Sequence, residues 1–229
     1  MPKSSLRADQ MPPSPIRKLM PYADAAKSRG VKIYHLNIGQ PDVPAPKEFW
    51  EGIRAADGRL MEYTHSQGTP SLRKGMREYY HSIGIELQDS ELIVTTAGSE
   101  AILFALMCTC NPGDEVIVPE PFYANYLGFS VPAGVKIVPI PTRIEDNFAL
   151  PPSSEFVSRI TERTKAILIC NPSNPTGAVY ANSQLEELRD VVLKHDLFLI
   201  ADEVYREFNY TGEPIRSVLQ LEGLEQHAV

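Results

Sequence analysis

From residue 91 onward, short and almost continuously apolar runs alternate with stretches of helical periodicity, and no other feature of the chain constrains its fold as tightly. The runs are ELIVTTA (91–97), EVIVPE (115–120), VKIVPIP (135–141), KAILICNP (165–172) and LFLIADEV (197–204). A strand that is polar on neither face is buried on both, and strands separated by helices are joined by crossovers that leave them parallel. Helical patterns lie between the runs at 99–109, 122–130, 153–161 and 183–195, the last opening with a capping box from Ser183 to Glu186. The expected architecture is a three-layer α/β/α fold around a mostly parallel sheet.

The rest of the chain is peripheral to that rhythm. Its opening, rich in Pro, Ser and Lys, reads as an arm, with an amphipathic stretch from Ile16 to Ala26 after a helix start at Ser14-Pro15. Two helical patterns follow Pro46, the second introduced by GTPSLRKGMREYY, where Thr69 can cap and Pro70 takes the first helical position. The expected division is an arm and small-domain segment over 1–45 and part of a larger ligand-binding domain over 46–229.

Charge and cysteine usage narrow the function. With 22 basic against 29 acidic residues, a net charge of −7, the chain lacks the basic footprint of a nucleic-acid binder or an anionic-membrane surface, so a small molecule is the expected partner. The N-terminal stretch has no continuous apolar signal-peptide core and no later run is long enough to span a bilayer, which points to a cytoplasmic protein. Cys108, Cys110 and Cys170 form no C-x-x-C pair and are expected as buried thiols; the histidines at 35, 65, 81, 195 and 227 show no metal spacing. The sequon Asn209-Tyr210-Thr211 has no meaning without secretion.

In open α/β sheets ligands bind beyond the carboxyl ends of the strands, and three such ends carry unusual residues. The first runs into TTAGSEAILF, where Gly98 and Ser99 sit at a helix start suited to phosphate; an ordinary serine cap would leave the same signature. The fourth ends in CNPSNPTG, two Asn-Pro pairs that stiffen a turn, with Gly177 free to take an unusual backbone angle and Asn174 held out as a donor. The fifth delivers the acid Asp202, with Tyr205 three residues on. A hydrophobic-Asp-Glu sequence is the metal-binding acid of P-loop NTPases, but G-x-x-x-x-G-K-[ST] is absent. The other reading is an acid that partners a cationic ring nitrogen.

In this order, LNIGQPD, YTHSQGTPSLR, TTAGSEA, PEPFYANY, NPSNPTG and ADEVY resemble the motifs of fold type I pyridoxal-phosphate enzymes, specifically class I/II aminotransferases of the aspartate aminotransferase group. The resemblance runs from about Ile16 to the end of the chain. It implies the large-domain fold of that family, pyridoxal 5'-phosphate as cofactor, and transfer of an amino group between an α-amino acid, aspartate among the candidates, and a 2-oxo acid. It further implies that Asp202 keeps the pyridine nitrogen protonated and that Tyr205 and Asn174 hydrogen-bond the ring's phenolic oxygen. Gly98 and Ser99 would hold the phosphate, Tyr123 would stack on the ring, and Gly39 would join Asn174 in approaching the substrate carboxylate. Tyr63 would reach the phosphate of a neighbouring subunit, so a homodimer is implied.

The family also needs a Schiff-base lysine beyond the aspartate, and no lysine follows Asp202 here. Lys165, at the start of a strand, and Lys194, near a helix C-terminus, fall at the wrong end of the sheet. The resemblance makes the terminal HAV the opening of a sixth strand that would lie between the fifth run and the first. The chain is therefore expected to be C-terminally incomplete, to have unpaired edges and to be inactive alone. Two other functions stay open: a C–S lyase or related elimination enzyme on the same cofactor, and a catalytically dead partner protein of the same fold.

Overall fold

The computed structural model describes residues 2–14, 17–39, 41–56, 58, 60, 62–210 and 212–229. Pro15 and Ile16 of the expected helix start, Gln40 of LNIGQPD and Thr211 of the sequon lie outside the described residues. Eight helices are found among those described: α1 (Leu6–Gln10), α2 (Met20–Ser28), α3 (Lys47–Ala55), α4 (Pro70–Ser82), α5 (Ala97–Thr109), α6 (Asn125–Ala133), α7 (Ser153–Val157) and α8 (Asn182–His195). Four of the five apolar runs form strands: β1 (Glu115–Glu120), β2 (Lys136–Pro141), β3 (Thr164–Cys170) and β4 (Phe198–Asp202).

The strands are parallel and lie in the order β2-β1-β3-β4. β2 is an edge, where Pro139 and Pro141 are tolerated because a second neighbour would need the N–H that proline lacks. Beyond β4 the terminal residues begin to pair. Leu199 and Ala228 form a parallel bridge, the Val229 N–H donates to Leu199 O at 3.0 Å, and the Ala201 N–H donates to Val229 O at 2.9 Å.

Side chains alternate in direction along each strand, and here the alternation builds two cores. Ile117, Ile167, Ile169 and Leu199 pack with Phe156 of α7 and Leu185, Leu188 and Val192 of α8. Val116, Val118, Ala166, Leu168 and Ile200 point the other way, against Ile102 and Leu106 of α5 and Tyr126 of α6. The sheet is therefore covered on both faces, as the continuous apolar runs require. Each of these large side chains contributes about 1.5–3 kcal/mol by leaving water, so a one-residue slip that exchanged the faces is strongly disfavoured.

The first run departs from expectation: residues 92–95 join no ladder among the described residues. The Val94 N–H instead donates to Gln67 O at 2.9 Å. Gly68 permits this approach, with φ at +101° and a Cβ position only 2.5 Å from Val94 Cγ2. An apolar run becomes a strand only beside another strand, and its sequence does not supply that neighbour.

Other expectations shift by a few residues for identifiable reasons. α6 starts at Asn125 because residues 121–124 form a bend that places Tyr123. α7 ends at Val157 because Thr161 is diverted to the base of β1, where its hydroxyl donates to Glu115 Oε2 at 2.8 Å. The cap of α8 is not the Ser183–Glu186 pair: Gln184 Oε1 accepts from the Ala181 N–H at 3.1 Å. Thr69 and Pro70 do open α4, although the Thr69 side chain makes no capping bond. Cys110 and Cys170 are buried, but Cys108 is exposed, because it falls on the solvent face of α5. Helices α1, α2 and α3 bury no residue, and Phe49, Trp50 and Ile53 of α3 are exposed. No helix among the described residues is long and apolar enough to cross a membrane.

Candidate active site

The site follows from strand parity. Ile200 faces α5 and α6, so Asp202, two residues on at the carboxyl end of β4, faces the same layer. Register places Cys170 beside Asp202 at the end of β3. Glu203 has the opposite parity and a structural role: its Oε1 accepts from the Val218 N–H at 3.0 Å, while Oε2 pairs with Arg206 at 3.2 Å. The two acids of LFLIADEV are thus separated by the pleat.

Asp202 is half-buried, less enclosed than its apolar strand suggests, because a cavity opens in front of it. Its Oδ2 accepts from the Tyr126 hydroxyl at 2.7 Å and its Oδ1 from the Val204 N–H at 3.2 Å. Both donors are uncharged, and among the described residues no lysine or arginine pairs with this carboxylate. Burial, with the nearby Cys170 and Asp202 adding to it, pushes the Tyr126 phenol far above its ordinary range, so it stays a donor. Burial, reinforced by Asp202, likewise pushes the Cys170 thiol up to about 11, and it donates to Pro172 O at 3.2 Å.

Across the cavity stands the start of α5. The Thr96 N–H is taken by Glu100 Oε2 at 2.6 Å and the Ala97 N–H by Thr95 O at 3.0 Å. Ala97 has φ at +66°, a left-handed angle that side-chain-bearing residues seldom adopt, and it turns the chain abruptly into the helix. The Gly98 and Ser99 N–H groups follow as first-turn donors without an intrahelical acceptor. A Cβ on Gly98 would meet nothing within 4 Å, so the protein's own packing does not demand glycine there; the open space belongs to the cavity.

That cavity, of about 190 Å³, brings together Gly98, Ser99, Tyr123, Asn174, Asp202 and Tyr205. Asn174 Nδ2 donates to the Tyr205 hydroxyl at 3.4 Å, and Gly177 takes its positive φ of 72° in the same turn. Tyr123 is held by Asn125, whose Nδ2 donates to its hydroxyl at 2.7 Å, and it meets Tyr126 edge-on, with ring centroids 5.5 Å apart. Gly39 lies outside this cavity but lines a vestibule of about 850 Å³ that shares Tyr123, Asn174 and Tyr205 with it. Tyr63 joins neither space: it stands 106% exposed, wholly in solvent. Tyr126 was not among the residues expected from the sequence, although PEPFYANY places it one helical turn beyond Tyr123. Lys165 and Lys194 lie at the start of β3 and in the last turn of α8, away from the cavity.

The cavity's lining combines a carboxylate that pairs with no cation among the described residues, the first turn of a helix, and phenol and amide groups, a set that suits a ligand with both cationic and anionic parts.

A sequence model of the family described as aminotransferase class I and II matches residues 31–228. The chain is 34% identical over 226 residues to an aspartate aminotransferase of Pyrococcus abyssi, covering 97% of this chain and 57% of that protein. It is also 34% identical over 227 residues to aromatic-amino-acid aminotransferase 2 of Thermococcus litoralis, covering 97% of this chain and 57% of the relative. A single mutant of Thermus thermophilus aspartate aminotransferase superposes with a TM-score of 0.91 at 33% identity, over 100% of this chain and 59% of that one. The chain thus spans little more than half the length of these relatives. The sheet order, the strand-end site and a family match over nearly the whole chain agree: this chain belongs to the class I and II aminotransferase family.

Proposed function

We propose that the protein is a pyridoxal-phosphate-dependent aminotransferase, exchanging an amino group between an α-amino acid and a 2-oxo acid, and that these residues supply the Asp202 side of its site. The observation that carries this reading is the half-buried Asp202, paired only with uncharged donors, sharing a cavity with the helix start at Gly98 and Ser99. Tyr126 and the Val204 N–H fix the carboxylate, which holds the proton on the ring nitrogen. Gly98 and Ser99 bind phosphate through their N–H groups and the Ser99 hydroxyl. Tyr205 and Asn174 hold the ring's phenolic oxygen, and Tyr123 covers one ring face. Gly39, with Asn174, borders the space for the substrate carboxylate. What the cofactor supplies is an electron sink for the charge left at the substrate α-carbon when its proton departs.

The activity is proposed for the whole protein, with the lysine that anchors the cofactor lying outside these residues. The fully exposed Tyr63 suits the accompanying reading of a homodimer in which it reaches the other subunit. Three unpaired cysteines suit a reducing, cytoplasmic setting.

The test is a single half-reaction. The full-length protein is loaded with pyridoxal phosphate and mixed with an amino acid, and conversion of the cofactor to its pyridoxamine form is followed by absorbance. That conversion, with release of the matching 2-oxo acid, is the expected result. Pyruvate and ammonia released without it would identify an elimination enzyme. Cofactor binding with no turnover of any donor would identify an inactive relative.

A further inference from the structure

The bend at residues 121–124 and the start of α6 carry three rings, Tyr123, Tyr126 and Phe129, spaced three residues apart, and all three line the cavity. Tyr126 is fixed at both ends, its ring buried at 1% exposure and its hydroxyl on Asp202 at 2.7 Å. Tyr123 lacks that enclosure. It is half-buried, and its ring neighbours are Tyr126, edge-on at 5.5 Å, and Phe129, tilted by 56° at 6.5 Å. The outer torsion of an aromatic side chain is broad, so these contacts alone leave the plane of the ring loosely set.

The missing constraint comes from Asn125. Its Nδ2 donates to the Tyr123 hydroxyl at 2.7 Å, while the Tyr126 N–H donates to Tyr123 O at 2.9 Å. The backbone end and the hydroxyl end of Tyr123 are thus both tied to the first two residues of α6. Water can satisfy a half-exposed hydroxyl, so the tether does not serve to rescue a buried polar group; what it adds is orientation. Asn125 borders the vestibule but is not part of the cavity's lining, so it reaches a ligand in the cavity only through Tyr123.

We propose that Asn125 is a positioning residue that sets the tilt of the Tyr123 ring against the bound cofactor. This inference rests on the pyridoxal-phosphate reading above and adds a residue to which that reading gives no part. The first turn of α6 then fixes two relations together, the ring face to Tyr123 and, through Tyr126, the ring nitrogen to Asp202.

The test is a double-mutant cycle in the full-length protein, with Asn125→Ala, Tyr123→Phe and the two combined. Two properties are measured with no amino acid present. One is the dissociation constant for pyridoxal phosphate; the other is the visible circular dichroism of the bound cofactor, which reports the asymmetry of the ring's surroundings. Each single variant is expected to weaken binding roughly two- to tenfold, the loss of one uncharged hydrogen bond, and to change the dichroism alike. The combined variant should match the singles, because each removes the same bond. Losses that multiply in the combined variant would mean that Asn125 acts independently of the Tyr123 hydroxyl, and would overturn the proposal. So would an Asn125→Ala protein with the parent's affinity and dichroism. A fall in the cofactor-free melting temperature of Asn125→Ala that Tyr123→Phe does not share would mark a folding defect and overturn it as well. A parent that binds no pyridoxal phosphate would end the cofactor reading itself.

Discussion

The Tyr126 hydroxyl donates to Asp202 Oδ2 across 2.7 Å, joining residues 76 positions apart in the chain. Tyr126 is 1% exposed, so this donor comes from the core and leaves the other side of the carboxylate facing the cavity. A side chain with two rotatable bonds is thereby held in one orientation. Under the proposed function the tyrosine is a positioning residue, and its loss should be felt at the cofactor.

Tyr126→Phe keeps the ring packing and removes one hydrogen bond to a carboxylate, worth about 1.5–3 kcal/mol. Affinity for pyridoxal phosphate, measured by equilibrium dialysis of the full-length protein, is expected to fall by up to roughly a hundredfold. An unchanged dissociation constant would show that Val204 alone suffices to hold Asp202.

Asp202→Asn removes the charge while keeping the shape. An uncompensated cation in a partly enclosed site costs about 3–5 kcal/mol, so the rate of the amino-donor half-reaction is expected to fall by two to three orders of magnitude. Stopped-flow absorbance provides the check. A loss of less than tenfold would show that the ring is not held as a cation.

Gly98→Ala separates folding from binding. The added Cβ meets no protein atom within 4 Å, and alanine in place of glycine within a helix stabilises by about 0.5–1 kcal/mol. The melting temperature without cofactor should hold or rise slightly, while affinity for pyridoxal phosphate should drop because the methyl takes its space. Equal affinity in the two proteins would remove Gly98 from the site.

Glu115 predicts an acid-side effect away from the site. It is 3% exposed, and hydrogen bonds from Lys136 and Thr161, with Arg163 adding attraction, hold its carboxyl below the ordinary 4.5 in spite of burial. A lowered folded value means that its stabilisation is present above the unfolded value and lost as pH falls through the folded one. Glu115→Gln should therefore melt below the parent at pH 7, by about 1–2 kcal/mol, with the gap closing below pH 4.5. A gap that stays constant on acidification would show that the loss is one of packing.

Much of this site was legible as motifs. Gly98, Ser99, Asn174, Asp202 and Tyr205 were legible at strand ends and helix starts and Tyr123 only through the family resemblance, and the structure gathers all six around one cavity. Tyr126 was not, because a buried tyrosine on a helix looks the same in sequence whether its hydroxyl meets a core partner or a functional carboxylate.

The order of apolar runs and helical patterns determined by itself that β1 to β4 would be parallel, buried on both faces and covered by helices, since an unbroken apolar strand is stable only between two layers. It also placed the ends of β3 and β4 to within two residues, through Asn171-Pro172 and the polar residues after Ala201. Tertiary structure alone decided that residues 92–95 stay outside the sheet, that Asp202 and Glu203 serve different layers, and that Tyr126 meets Asp202. Strand pairing and hydrogen bonds between remote residues depend on which neighbour arrives. Local sequence sets the conformations a segment can adopt, while the arriving neighbour selects among them.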